Sequence, residues 1–252
     1  MSETIAYEVS GGIGTLLINH ESRHNALGAG ELHGILEVLD LIESDDEVRV
    51  LIVTGAGDKT FCAGAALDDL NSGRITPEQF QGVMHRVAAL PIPSLARVNG
   101  SVFGGGAELA LSCDFRVGVE GTRLRVPAAA FGLCYPPGGV SRFVEKLGPN
   151  TARRMLVASE ALDADELYRL GFYDYLVSAA RLDERVEELA LHIAGQAPLA
   201  TRAMKEIVRQ VESGALDTVH AAELASICQQ SDDLQEGLAA QREKRMPQFV
   251  GK

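Results

Sequence analysis

Gly104-Gly105-Gly106 followed by Glu108 is the segment whose residue types could carry the most chemistry. Glycine lets a backbone approach a ligand closely, and a helix starting here leaves its first N–H groups unpaired, so the turn offers donors to an anion. Residue 108 stands three positions beyond Gly105, which puts its side chain on roughly the helix face where the Gly105 amide opens. Donors of this kind stabilise charge on an oxygen while a nearby carboxylate moves protons at carbon, a combination suited to enolate chemistry. Taken alone, glycines before a helix are more often a tight turn with close helix packing.

Other chemistries fit less well. A dinucleotide fingerprint needs glycine where Leu109 stands. Gly55-Ala56-Gly57-Asp58-Lys59-Thr60 lacks the spacing of a phosphate loop and reads as a turn, and the chain has no GxSxG nucleophile elbow. The 6 histidines and 4 cysteines are dispersed, without HExxH or metal-type cysteine spacing. No metal site is expected, and the thiols are expected to be reduced.

The elements that position these residues can be read from periodicity. Ile5 to Val9 and Gly14 to Asn19 are β-rich runs joined by Ser10-Gly11-Gly12, a predicted hairpin. Leu32, Ile35, Leu36, Leu39 and Ile42 recur at helical spacing, followed by a buried strand over Val50 to Val53. Phe61 to Leu67 neither alternates nor shows a helical stripe, so an irregular loop is expected there, and such loops often carry function. A helix over 77–89 stops before Pro91 and Pro93, and Ser94 to Val98 forms the next strand. Gly100 to Gly106 reads as a turn into a helix over 107–112, and Phe115 to Val119 as another strand. The strand–helix alternation continues to about residue 178 and predicts an α/β layer architecture. From Leu182 onward only helical patterns occur. The division expected is an α/β core over residues 1–195 and a helical region over 196–252.

With 252 residues, 46% of them apolar and 23% charged, the chain can bury a substantial core, and disordered or fibrous classes are excluded. There is no signal-peptide pattern at the start and no apolar run long enough to span a bilayer, so the expected location is the cytoplasm, without membrane association. A net charge of −12 opposes nonspecific attraction to nucleic acid. The first long helix points the same way, because 28–48 contain Glu31, Glu37, Asp40, Glu43, Asp45, Asp46 and Glu47 and no lysine or arginine.

Paired with Phe61-Cys62-Ala63-Gly64-Ala65, the glycine turn becomes specific. Arg23-His24-Asn25-Ala26-Leu27, Asn99-Gly100, Gly138-Gly139 with Arg142, and Arg242-Glu243-Lys244-Arg245 follow the same family order, and the match spans nearly the whole chain. On these segments the chain resembles the crotonase family, the enoyl-CoA hydratases and isomerases. The resemblance implies a spiral of ββα units with C-terminal helices that mediate assembly as a homotrimer or a dimer of trimers. It implies an acyl-CoA substrate, coenzyme A entering as part of that substrate and no separate cofactor. It also implies an oxyanion hole made by the N–H groups of Ala65 and Gly105. Backbone groups at Ala26, Ala63, Ala65, Ala66, Leu67 and Asp68, together with Gly105, would hold the thioester and its coenzyme A portion, and Glu108 matches one of the two hydratase glutamates.

The pattern breaks at the second glutamate, because Pro127 is followed by Ala128. The two carboxylates of the family's hydratases jointly activate water and deliver a proton to the α-carbon, and alanine can do neither. The expected activity is therefore hydratase/isomerase-type with one recognisable glutamate. Tyr135 stands where family decarboxylases acting on methylmalonyl-CoA resemble this chain, so decarboxylation or hydrolysis of another acyl-CoA is the alternative, and an acyl-CoA-binding protein without activity is a third reading. Tyr135 is either a wall residue or a catalytic one. Asp68 and Asp69 are expected to cap a helix or face water, the alternative being that one replaces the lost carboxylate; His85, on a helix that could cover the pocket, is expected to be structural, and Arg97 and Arg142 to be ion-pair partners or to meet a substrate carboxylate.

Overall fold

The computed structural model describes residues 3–252. β1 (Ile5–Ser10) and β2 (Ile13–Ile18) pair antiparallel as the expected hairpin, and α1 (Ala29–Glu43) follows. The chain then winds as a spiral of three turns, each sending its first strand to one sheet and its second strand to another. One turn holds β3 (Val50–Gly55), β4 (Thr60–Cys62), α2 (Leu67–Asn71) and α3 (Pro77–Ala89). The next holds β5 (Ser94–Val98), β6 (Ser101–Phe103) and α4 (Gly105–Ser112), and a third holds β7 (Phe115–Val119), β8 (Arg123–Arg125) and α5 (Pro137–Ala152). β9 (Ala161–Asp163), α6 (Ala164–Arg169) and β10 (Tyr175–Val177) complete the winding. α7 (Leu182–Ala194), α8 (Pro198–Glu212), α9 (Thr218–Gln229) and α10 (Asp232–Glu243) follow.

The larger sheet runs β1-β2-β3-β5-β7-β10 and is parallel from β2 onward. The smaller runs β4-β6-β8-β9, with β9 antiparallel. Parallel strands in this position are covered on both faces, and the side chains divide with period two. Leu51, Val53, Ala96 and Val98 enter the main core, whereas Val50, Ile52, Leu95, Val117 and Val119 pack on Leu182, Val186, Leu189 and Ala190 of α7.

Two stretches differ from the sequence expectation. Phe61 to Leu67 is irregular only at 63–66, because its start belongs to β4 and its end to α2. Thr60, Phe61 and Cys62 are all buried, so β4 has no exposed face from which alternation could be read. Likewise the glycine turn over 100–106 contains β6, which lies between β4 and β8.

Candidate active site

β4 and β6 are adjacent parallel strands, and the two segments carrying Ala65 and Gly105 leave them side by side. Leu27 donates to Gly64 O at 2.8 Å and Ala66 donates to Leu27 O at 2.9 Å. In that parallel bridge Ala65 is the residue facing Leu27, and its own N–H points away from the ladder. The Gly105 N–H opens α4, ahead of the intrahelical bonds. Among the described residues neither amide donates a hydrogen bond. Both residues are half-buried, so the donors are reachable.

Close approach at this point requires glycine. Gly64 has φ +82°, and a Cβ there would overlap the Gly105 nitrogen. Gly104, at φ 51° and ψ −127°, turns the chain from β6 into α4 in a conformation that side chains disfavour. On the other side of the turn the Phe80 ring of α3 lies directly against Gly105, where a Cβ would strike it.

Glu108 is fully buried on α4. Its Oε2 accepts from Tyr135 Oη at 2.9 Å and from Gln81 Nε2 at 3.0 Å. Its Oε1 lies 3.7 Å from Arg142 Nε, beyond hydrogen-bond range, and is buried without a hydrogen-bond partner. Burial pushes the Glu108 carboxyl above the ordinary carboxylate range, against the lowering effects of Tyr135, Arg142 and Gln81. Burial, and then the neighbouring Glu108, push the Tyr135 phenol well above its ordinary value. A carboxyl pKa raised in this way is common where a group transfers protons. Gly139 of α5 leaves room for the cluster, since a Cβ there would meet the Tyr135 ring and come within 2.9 Å of Glu108 Oε2. Tyr135 is also held edge-on by Phe143, with ring centroids 5.7 Å apart.

Of the remaining predicted residues, Ala26 and Ala63 lie in neighbouring strips, Ala63 N donating to His24 O at 3.0 Å. Ala66 is buried, while the Leu67 and Asp68 side chains are exposed and Asp68 pairs with Arg23 at 3.1 Å. Asp69 is a structural cap: it accepts from the Ala29 N–H at 2.9 Å at the start of α1 and pairs with Arg74. Arg97 pairs with Asp183, away from Glu108, and His85 is exposed and does not contact the cluster. Arg142 joins the cluster, and Ala128 is buried within the main core.

Two of the segments that carried the resemblance are braces. Asn25, fully buried at φ 54°, donates to Ala56 O at 3.0 Å and Thr60 O at 2.8 Å and accepts from His20 N at 3.1 Å. Asn99 accepts from Gly55 N at 3.2 Å and donates to Gly57 O at 2.7 Å, tying the ends of β3 and β5 together.

Gln81 was not foreseen. Nothing local in the sequence marks it, because it flanks the buried Phe80, Val83, Met84 and Val87 stripe of α3 and meets Glu108 only through the fold. A cavity of about 1060 Å³ between α3, α5 and α8 has Gln81 and Arg142 on its wall, but neither Ala65 nor Gly105 lines it. The two amides therefore lie outside that cavity. Among the described residues no group of three or more His, Cys, Asp or Glu side chains is arranged to hold a metal ion, and no helix is long and apolar enough to cross a membrane.

Residues 8–252 match the enoyl-CoA hydratase/isomerase family. The chain is 31% identical over 257 residues to the crotonyl-CoA hydratase of Syntrophomonas wolfei, covering 99% of each chain. It is 31% identical over 262 residues to the carnitinyl-CoA dehydratase of Proteus mirabilis, covering 100% of each. The crystal structure of enoyl-CoA hydratase from Bacillus anthracis superposes with a TM-score of 0.91 at 28% identity, covering 99% of this chain and 100% of that one.

Proposed function

The chain belongs to the enoyl-CoA hydratase/isomerase family, whose α/β fold it shares, and we propose that it polarises an acyl-CoA thioester carbonyl between the Ala65 and Gly105 amides and moves protons through Glu108. The observation that carries this reading is the pair of undonated N–H groups on adjacent segments, with a buried carboxyl on the helix that one of them opens. On an enoyl-CoA, Glu108 takes a proton from water as the water oxygen bonds to the β-carbon, and the double-bond electrons move onto the thioester oxygen. The enolate is held by the two amides until the same proton is returned to the α-carbon. One carboxylate can serve both transfers, in hydration or in a proton shift between carbons, so the alanine at position 128 does not prevent the cycle.

A second reading is supported by Ala128 and Tyr135 together. In decarboxylation of a malonyl-type thioester, the bond from the α-carbon to the carboxylate breaks, its electrons enter the same enolate, and no base has to remove a proton. Tyr135, bonded to Glu108, would then orient the departing carboxylate or pass on the proton that quenches the enolate. Crotonyl-CoA hydration and methylmalonyl-CoA decarboxylation should be measured on the wild type, Glu108→Gln and Tyr135→Phe. Hydration that falls by about a hundredfold or more in Glu108→Gln supports the first reading. An unchanged rate refutes it. Decarboxylation at a normal rate in Tyr135→Phe removes the tyrosine from the second. Binding of acyl-CoA without turnover of either substrate would favour a protein that binds without catalysis.

The expected assembly belongs to the same proposal. Met204, Val208 and Val211 of α8 and Val219 and Ile227 of α9 are exposed apolar side chains, which supports burial against other copies as a homotrimer or dimer of trimers. Sedimentation equilibrium at micromolar concentration tests it, and a monomer would refute it.

A further inference from the structure

α3 addresses both halves of the site with consecutive residues. Phe80 backs the Gly105 amide, and Gln81 reaches Glu108. A carboxylate oxygen offers two in-plane lone pairs. On Glu108 both hydrogen bonds fall on Oε2, one from Gln81 Nε2 at 3.0 Å and one from Tyr135 Oη at 2.9 Å. Oε1 has no hydrogen-bond partner, and Arg142 Nε stands off at 3.7 Å.

We infer that Gln81 is a positioning residue for the proton transfer: with Tyr135 it saturates Oε2 and leaves Oε1 as the oxygen that takes and returns the proton. This rests on the reading of Glu108 as the proton-transfer group. A proton arriving at Oε2 must displace a donor, whereas one arriving at Oε1 displaces nothing, so the exchange stays on one oxygen throughout the cycle. In hydration, Oε1 accepts the proton of the water whose oxygen bonds to the β-carbon, the enolate forms, and the O–H bond on Oε1 breaks as the proton passes to the α-carbon. Gln81 itself exchanges no proton. The titratable and charged groups around this carboxyl are Arg142 from α5, Tyr135 from the segment before α5, and Cys62 of β4, which lies in the field of Tyr135. Gln81 does not titrate and carries no charge, so it fixes orientation without adding charge.

The test uses Gln81→Met, which keeps the length and removes the donor, and Gln81→Glu, which donates to Oε2 only while its own carboxyl is protonated. For Gln81→Met, kcat on crotonyl-CoA should fall roughly ten- to hundredfold with little change in KM, and the acid limb of the rate profile should move to higher pH. NMR titration of isotope-labelled glutamate should show the Glu108 midpoint moving the same way, a readout that does not depend on turnover. Gln81→Glu should lower activity and move the acid limb further to higher pH, because the new carboxylate ionises beside Glu108 and disfavours its charged form. A Gln81→Met enzyme with an unchanged acid limb and an unchanged Glu108 midpoint overturns the inference. Should Gln81→Met fail to fold, a Gln81→Glu profile parallel to the wild type overturns it as well. Glu108→Gln separates the two claims: wild-type turnover in that variant sinks the proton-transfer reading itself, while its inactivation beside an indifferent Gln81 sinks only the role of Gln81.

Discussion

Proline at position 65 isolates one of the two amide donors with little other disturbance. The ladder bonds beside it belong to its neighbours, since Gly64 O accepts from Leu27 at 2.8 Å and Ala66 N donates to Leu27 O at 2.9 Å. Ala65→Pro therefore deletes an N–H that holds no bond in the protein. Losing one preorganised donor to an oxyanion costs about 2.7–4 kcal/mol of transition-state stabilisation, a fall in kcat of roughly a hundred- to a thousandfold. The donor meets far more charge in the enolate than in the ground-state carbonyl, so the loss falls mainly on kcat, while the proline Cδ, which takes the place of the amide hydrogen, should raise KM as well. The folded state loses no hydrogen bond, and the melting temperature should stay within about 2–4 °C of wild type, the shift expected of roughly 1 kcal/mol in a chain of this size. The assay follows loss of the conjugated enoyl thioester on crotonyl-CoA, with Ala65→Ser as the control that alters the side chain and keeps the N–H. A folded Ala65→Pro enzyme that turns over as fast as Ala65→Ser would falsify the placement of the carbonyl at this amide.

Glu108→Gln should stabilise the fold at neutral pH even as it lowers turnover. Its folded pKa is raised above the ordinary 4.5, so any stability the protonated carboxyl provides is complete below that value and is lost as pH rises through the folded value. Thermal melts should thus show little difference between Glu108→Gln and wild type at pH 4 and an advantage for glutamine that opens toward pH 8; a constant difference would contradict the burial argument. Gly105→Ala drives a methyl into the Phe80 ring and should cost about 1–3 kcal/mol in denaturant titration. Adding Phe80→Leu should recover part of that loss, and no recovery would show that the strain lies elsewhere. Asn25→Ala strands the Thr60 and Ala56 carbonyls and should cost about 2–3 kcal/mol, with a raised KM because the Ala26 strip loses its brace. An unchanged melting curve would exclude that bracing role.

Much of this was legible in the chain. The hairpin, α1 and β3 announce themselves through turn residues and apolar spacing, and the Gly104 to Glu108 run names the donor and the carboxyl in one helix turn. Short strands were less legible. β4 is buried at all three positions, so period-two alternation has no exposed position on which to appear, and β6, three residues between Gly100 and Gly104, is too short to show a period. Contacts across the spiral were not legible at all. Asp69 caps a helix 40 residues earlier, and Gln81 meets a carboxyl 27 residues later. Neither residue type nor spacing encodes such meetings; the winding of the sheets does.

The adjacency of β4 and β6 has one more consequence. β4 and β6 pair in parallel, so the segments that carry Ala65 and Gly105 leave one ladder side by side, and on the proposed reading the spacing of the two amides is set by backbone pairing. The grip would then be gauged by backbone pairing and by the glycines that allow the close approach, not by titratable side chains. Exchanges such as glutamate for alanine at position 128 can alter what happens to the held intermediate while the jaws keep their bore.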